Sequence, residues 1–545
     1  MLGLMQQQPL MISSLLQFAA RHHGDADIVS NTLEGGRHRY TYRDAERRAR
    51  RLAAALQRLG VQPGDRVGTL AWNGYRHLEL YFAVPGMGAV LHTINPRLFE
   101  EQVAYIIDDA IDRVLFADLT FVPLVERVLA RLGHRPIAVI VMTDHAHLPV
   151  VNLPGGVELH AYEDLLDTAP DGFAWPDLDE NCASGLCYTS GTTGHPKGVL
   201  YSHRSTVLQA LACSVPDVFG LRAVDRVLPV VAMFHVNAWC IPYSATMVGA
   251  RLVLAGAKAD GASLHELIES EGVTFAAAVP TVWLGLVQHL RTSGGRMESL
   301  KRVCIGGAAC PSALLESLRD ECGVEVAQGW GMTETSAAGA YNHPKPSDTA
   351  LPGAEADALR LKQGRALFGI DYRIVDGDGR DMPWDGAAAG ELLVRGPRVC
   401  RAYYRAESDA VDADGWFRTG DVATIDPAGF VQITDRAKDL IKSGGEWISS
   451  LDLENVAMSH PDVAEAAVIA AKHPRWDERP LLLVVPKPGH EPDAEGLLDW
   501  YKGRVAAWST PDAALVVDEL PHTATGKLLK TVLRERYGNY YLRGT

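Results

Sequence analysis

The chain has 545 residues, with 52 Lys and Arg against 67 Asp and Glu, a formal charge of −15. That length exceeds what one hydrophobic core serves and calls for two or more domains, and 47% hydrophobic with 22% charged residues is the balance of a globular protein in water. The acidic excess, with no basic tract to offset it, argues against a nucleic-acid partner.

Near the start, Ser13-Ser14 ahead of LLQFAA reads as a capped helix start. That stretch has no basic n-region or small-residue cleavage site, so no secretory signal is read. Residues 42–59 carry Arg, Ala and Leu at helical spacing, and 65–70 read as a strand. A helix near 78–84, strands at 89–94 and 114–117, a helix around 122–132 and a strand at 137–142 follow. This alternation predicts α/β layers around largely parallel sheets. Residues 153–180 are rich in Pro, Gly and Asp and read as a connection. The rhythm resumes from Val227, through strands at 274–279 and 302–305. Between 365 and 434 it turns β-rich, with strands at 371–375, 391–395 and 430–434 separated by turns such as Asp376-Gly377-Asp378-Gly379. The tail beyond 434 has its own helices and strands, for example at 463–471 and 481–485, and the size of one small α+β domain. The eight cysteines begin at Cys182, form no CxxC pair and have no His at metal spacing, so they read as plain thiols in a reducing compartment. No apolar run reaches the ~18 residues of a membrane helix, and the expected location is the cytoplasm.

The strongest local signal is Tyr188-Thr189-Ser190-Gly191-Thr192-Thr193-Gly194-His195-Pro196-Lys197-Gly198. Its glycines let backbone approach a ligand closely. Hydroxyls donate, Lys197 carries charge, and successive backbone N–H groups can form an anion nest. Composition alone leaves a flexible polar loop open as the alternative. Other segments follow in order: Gly306-Gly307-Ala308-Ala309 after a strand, then Gln328-Gly329-Trp330-Gly331-Met332-Thr333-Glu334. Thr419-Gly420-Asp421, Asp435-Arg436-Ala437-Lys438-Asp439-Leu440-Ile441-Lys442-Ser443-Gly444-Gly445-Glu446-Trp447 and Pro521-His522-Thr523-Ala524-Thr525-Gly526-Lys527 complete the series. Each alone is a turn, a charged linker or a surface lysine.

Together, and in this order, these segments resemble those of the adenylate-forming superfamily, which includes acyl-CoA synthetases, luciferases and the adenylation domains of peptide synthetases. The resemblance implies an N-terminal adenylation domain over 1–434, a hinge over 435–440 with Asp435 as pivot, and a mobile C-terminal domain over 441–545. It implies ATP, Mg²⁺ and CoA as co-substrates and cofactor. By it, Thr189, Ser190, Gly191, Thr192, Thr193, Gly194 and Lys197 hold phosphates, Glu334 with Thr189 holds Mg²⁺, and Asp421 accepts from the ribose hydroxyls. Gly307, Gln328, Gly329 and Thr333 border the nucleotide. Trp330 stacks on adenine in place of the family's usual Tyr, with no hydrogen bond expected there once the phenolic hydroxyl is gone. Arg436, Lys438 and Lys442 meet ribose and phosphate, and Lys527 is the mobile catalytic lysine beside Lys197, Thr189 and Glu334. His522, where the family often has Arg, is given no role.

Two details narrow the substrate. Trp447 after Gly-Gly-Glu resembles bacterial medium- and long-chain fatty acyl-CoA synthetases, where it lies against adenine. Met233-Phe234-His235-Val236-Asn237-Ala238-Trp239 matches a segment bordering the acyl tunnel, with Val236 on its wall and Trp239 as gate or, blandly, a core aromatic. Ligases for the short thioether acid 3-methylmercaptopropionate share these features, so they stand as the alternative, with transfer to a carrier protein behind them. A luciferase-type oxygenase and a catalytically dead binding protein are the remaining rivals. The subgroup implies a homodimer, although no interface signature is legible.

Overall fold

The computed structural model describes residues 1, 3–189, 195–444, 446–522 and 528–542. Among these the strands form four sheets. One has seven strands in the order Glu158–Ala161, Ala138–Val141, Asp112–Ala117, Arg66–Leu70, Val90–Thr93, Ala183–Tyr188 and Gly198–Ser202, and every neighbouring pair but the last is parallel. The second has nine strands and a parallel centre, running from Glu325–Trp330 through Arg302–Ile305, Phe275–Ala278, Arg226–Pro229 and Arg251–Leu254 to Asp27–Asn31, with short antiparallel strands at both edges. Strands covered on both faces need no alternation. Ala138–Val141 and Phe275–Ala278 are accordingly apolar and buried at every position.

Asp371–Val375, Gly390–Arg395, Phe417–Ile425 and Val431–Arg436 form a smaller antiparallel sheet. The fourth sheet belongs to the tail, where Val463–His473 and Asp477–Pro486 form its long antiparallel pair. Helix Ser450–Met458 packs on it, burying Leu453 and Ala457.

Local chemistry explains several boundaries. Helix Tyr42–Arg58 starts on a reciprocal cap: Asp44 N–H donates to Thr41 Oγ1 at 3.3 Å, and Thr41 N–H to Asp44 Oδ2 at 3.1 Å. The first helix corrects the expected serine cap. It spans Ile12–His22, its cap residue is Met11 with no side-chain cap bond, and Ser13 is buried within the first turn. Ile12 is drawn into the core and its N–H donates to His203 Nδ1 at 3.3 Å, so helical backbone begins before the serines. Residues 153–180 hold a strand, Glu158–Ala161, and a helix, Tyr162–Asp167, where a connection was expected. That strand is a sheet edge, and only Ala161 in it is buried, which leaves no apolar run to read.

The expected hinge begins in regular structure. Asp435 and Arg436 pair with Val422 and Asp421 in the four-stranded sheet. The Asp435 carboxylate, however, accepts from Ser450 N–H at 2.6 Å and Ser450 Oγ at 2.7 Å. Lys530 donates to that same Oγ at 2.6 Å and pairs with Glu454 at 2.7 Å. Asp435 therefore belongs by backbone to one unit and by side chain to the next.

His77 is fully buried, with Nδ1 3.0 Å from Trp72 O and Nε2 3.2 Å from Thr69 Oγ1. The carbonyl can only accept, so Nδ1 carries the proton, and the Thr69 hydroxyl can donate to an unprotonated Nε2. Burial lowers its pKa to about 4. The unfolded ring takes up a proton near pH 6.5, so stability falls as pH drops from about 6.5 to about 4, by up to about 3 kcal/mol from this group. Melting temperatures across that range test this. His77→Gln is expected to flatten part of the slope, and a full wild-type slope in the variant contradicts it.

Candidate active site

Strand ends from three sheets, with residues of the tail, converge on one cavity of about 850 Å³. Ala183–Tyr188 and Gly198–Ser202 form a hairpin with Tyr188 opposite Gly198, so the phosphate-loop motif is its connection. The neck is closed twice: Thr189 N–H donates to Lys197 O at 2.9 Å, and Lys197 N–H to Thr189 Oγ1 at 3.1 Å. Thr189 and Lys197 line the cavity. Ser190, Gly191, Thr192, Thr193, Gly194 and Lys527 lie outside the described residues.

Strand Glu325–Trp330 delivers the next motif. A Cβ on Gly331 would sit 1.5 Å from Ala337 O, so no side chain is admissible there. Gly329, Trp330, Thr333 and Glu334 line the cavity. Glu334 is only 6% exposed, and its Oε1 accepts from Tyr403 Oη at 2.7 Å. Lys197 Nζ lies 4.9 Å from the Tyr403 ring centre, so this tyrosine bridges the loop lysine and the glutamate. Burial, with the Glu334 charge beside it, pushes its phenol far above the ordinary range. Sequence reasoning missed Tyr403, because nothing in Arg401-Ala402-Tyr403-Tyr404 separates it from a packing aromatic. Gln328 is not on the cavity wall. Its Oε1 accepts from Cys310 N–H at 3.2 Å and its Nε2 donates to Arg360 O at 2.8 Å, so it braces the loops behind the site.

Trp330 corrects an expectation. Its indole N–H does bond: Nε1 donates to Asp421 Oδ2 at 2.8 Å. Arg436 Nε pairs with Oδ1 of the same carboxylate at 2.7 Å. Asp421, Arg436 and Lys438 all border the cavity. Burial of Lys438, with Arg436 and Arg534 nearby, lowers its ammonium below the usual lysine range despite Asp439.

Val236 and Trp239 lie on the opposite wall, in an uncommon conformation. Five successive non-glycine residues, Val236, Asn237, Ala238, Trp239 and Cys240, have φ of 46°, 51°, 47°, 54° and 66°. Left-handed backbone costs L-residues roughly 1–2 kcal/mol each, so packing must hold the turn. Ala238 and Cys240 are buried beneath it. The Trp239 ring covers Gly306, whose missing Cβ would lie 3.0 Å from its Cη2. Beyond Trp239 and Gly307 the wall is apolar, through Val279, Ala338, Cys304, Phe219 and Tyr341. Lys442 and Trp447 face each other on hairpin Ile441–Ser443/Glu446–Ile448 away from the cavity, with Trp447 57% exposed.

Among the described residues no three His, Cys, Asp or Glu side chains converge. Mg²⁺ does not need such a cage. It is commonly held by one or two carboxylates together with substrate phosphates, and the hard oxygens of Glu334 and Thr189 on one cavity fit that pattern.

A buried glutamate, a carboxylate flanked by two donors and a run of apolar side chains thus share one cavity. The AMP-binding enzyme family model matches residues 16–404, and the AMP-binding enzyme C-terminal domain model matches 452–527. The chain is 50% identical over 540 residues to a 3-methylmercaptopropionyl-CoA ligase of Ruegeria lacuscaerulensis, covering 98% of this chain and 99% of that one. It is 49% identical over 545 residues to a medium-chain-fatty-acid–CoA ligase of Ectopseudomonas oleovorans, covering 100% and 99%. The fold matches the anthranilate CoA ligase AuaEII in complex with anthranoyl-AMP, with a TM-score of 0.86 at 24% identity over 99% of this chain and 100% of that one. The chain belongs to the AMP-binding enzyme family, in its branch of AMP-forming CoA ligases. No described helix is long and apolar enough to cross a membrane.

Gly331→Ala tests the tightness of the nucleotide turn. Overpacking against backbone is expected to cost about 3 kcal/mol and to abolish AMP formation. An unchanged melting temperature with retained turnover contradicts the geometry.

Proposed function

We propose that the enzyme joins a medium- or long-chain fatty acid to CoA through an acyl-adenylate, releasing pyrophosphate and then AMP. The observation that carries this reading is that the polar rim of Thr189, Lys197, Glu334 and Asp421 and the apolar recess toward Phe219, Cys304 and Tyr341 share one cavity.

The acid is ionised at neutral pH, so its oxygen attacks the α-phosphorus without a general base, and the bond to the pyrophosphate leaving group breaks. The obstacle is an anion approaching a polyanion. Catalysis is therefore positioning and electrostatic stabilisation. The backbone and hydroxyls of 189–194 hold the phosphates, with Lys197 adding charge. Glu334 and Thr189 would hold Mg²⁺, which would supply charge neutralisation at the phosphates. Tyr403 orients Glu334. Trp330, with Gly307 and Gly329, borders adenine, Asp421 accepts from the ribose hydroxyls, and Lys527 reaches the α-phosphate and the substrate carboxylate. The CoA thiol then attacks the acyl carbonyl and AMP leaves. Between the steps the domain at 441–545 turns about 435–440 against 1–434, withdrawing Lys527 and bringing Trp447, Lys442 and the 443–446 loop to the cavity. Such a turn gates the reaction without adding chemistry. We also read the protein as cytoplasmic and homodimeric, following the family resemblance. The alternative acid is 3-methylmercaptopropionate, favoured by the 50% identical relative.

AMP formation across straight-chain acids from butyrate to palmitate and 3-methylmercaptopropionate, with and without CoA, tests the reading. The highest kcat/KM is expected on a medium- or long-chain acid, with thioester formed in step with AMP. A preference for the short thioether acid overturns the chain length, and absence of acid-dependent AMP overturns the function. Glu334→Gln is expected to lower kcat at least about 100-fold. Lys527→Ala is expected to lose adenylate formation while still converting supplied acyl-adenylate to thioester.

A further inference from the structure

Asp421 is 2% exposed and lies between donors from distant parts of the chain. Oδ1 accepts from Arg436 Nε at 2.7 Å, across the ladder that pairs the two residues. Oδ2 accepts from Trp330 Nε1 at 2.8 Å, and the backbone N–H of Asp421 donates to Thr419 Oγ1 at 3.1 Å. An ionised carboxylate offers about four acceptor sites. Two remain, one on each oxygen, and a pair of adjacent acceptors matches a vicinal diol. The two donors differ in rigidity. The Arg436 side chain is 43% exposed on a long flexible stem. The indole is 9% exposed, meets Tyr372 edge-on at 81°, and rests on Gly339, where a Cβ would lie 2.8 Å from its Cζ3.

We infer that Trp330 is a positioning residue for the ribose: its indole N–H locks the Asp421 carboxylate in the orientation that presents one free acceptor to each of the 2′ and 3′ hydroxyls of ATP. This rests on the proposed reading of Asp421 as the ribose acceptor. Ring stacking alone would be served by any large aromatic, whereas only an indole both stacks and reaches Oδ2 from this backbone position with an N–H. Without that donor the carboxylate is steered by a mobile arginine alone, and the two acceptors no longer stay in register with the diol. Gly339 is part of the device, since it admits the wider indole at the depth where the bond forms.

The test measures kcat and KM for ATP and 2′-deoxyATP in acid-dependent AMP formation by wild type, Trp330→Phe, Asp421→Ala and the double variant. Trp330→Phe is expected to raise KM for ATP about tenfold or more, the scale of a lost bond to a charged group, to move kcat much less, and to narrow the preference for ATP over 2′-deoxyATP. In the Asp421→Ala background the same substitution is expected to add nothing, because coupled residues are not additive. Gly339→Ala keeps the indole but displaces it, and is expected to narrow the nucleotide preference as Trp330→Phe does while its melting curve stays cooperative. An unchanged ATP to 2′-deoxyATP ratio in Trp330→Phe overturns the inference, and so do losses that multiply in the double variant. A wild type that forms no AMP with any acid overturns the proposed function itself, a result separate from either of these.

Discussion

A carboxylate removed from water keeps its charge only where donors meet it. Asp421 is met by two, and each comes from a different unit. Trp330 ends a strand of the nine-stranded sheet, Asp421 sits on a bulged strand of the four-stranded sheet, and Arg436 is the last strand residue before the tail. Their meeting fixes where the end of strand Glu325–Trp330 stands relative to the small sheet. The next residue back, Asp435, takes its bonds from Ser450 in the tail. Two successive aspartate-centred knots thus tie the large unit to the small sheet and the small sheet to the tail.

That arrangement suits chemistry in which charge is the main barrier. Cationic and hydroxyl groups from Lys197, Thr189 and Lys438 line the same cavity as Glu334 and Asp421, together with the aromatic and aliphatic side chains of Phe219, Val279, Ala338 and Tyr341. Tyr403 joins the two halves of the rim. Its hydroxyl is committed to Glu334 and its ring faces the loop lysine.

Much of this was legible in the sequence, and the rest fails for identifiable reasons. Parallel strands such as Ala138–Val141 declare themselves by unbroken apolar runs, and the phosphate loop by a density of Gly, Ser and Thr that few structures need. Helix Glu100–Ala110 was overlooked although Val103, Ile106, Ile107 and Ala110 carry a clear helical stripe. The edge strand Glu158–Ala161 had no such stripe to show. The bond from Trp330 to Asp421 joins residues 91 apart and depends on how two sheets meet, which no local pattern records. The left-handed turn at Val236–Cys240 runs against residue preference, so only its surroundings explain it. Gln328 sits within a recognisable motif yet spends its amide on Cys310 and Arg360 off the cavity wall, because a motif conveys order along the chain and not the distant partners that the fold brings to a side chain.

The central claim is that the carboxylate oxygen of an acid attacks the α-phosphorus of ATP in this cavity. Turnover of a medium-chain acid labelled with ¹⁸O in its carboxylate, followed by mass spectrometry of the products, tests that bond directly. One labelled oxygen is expected in AMP, none in pyrophosphate and one in the thioester. Label in pyrophosphate, or AMP formed without label, would contradict it.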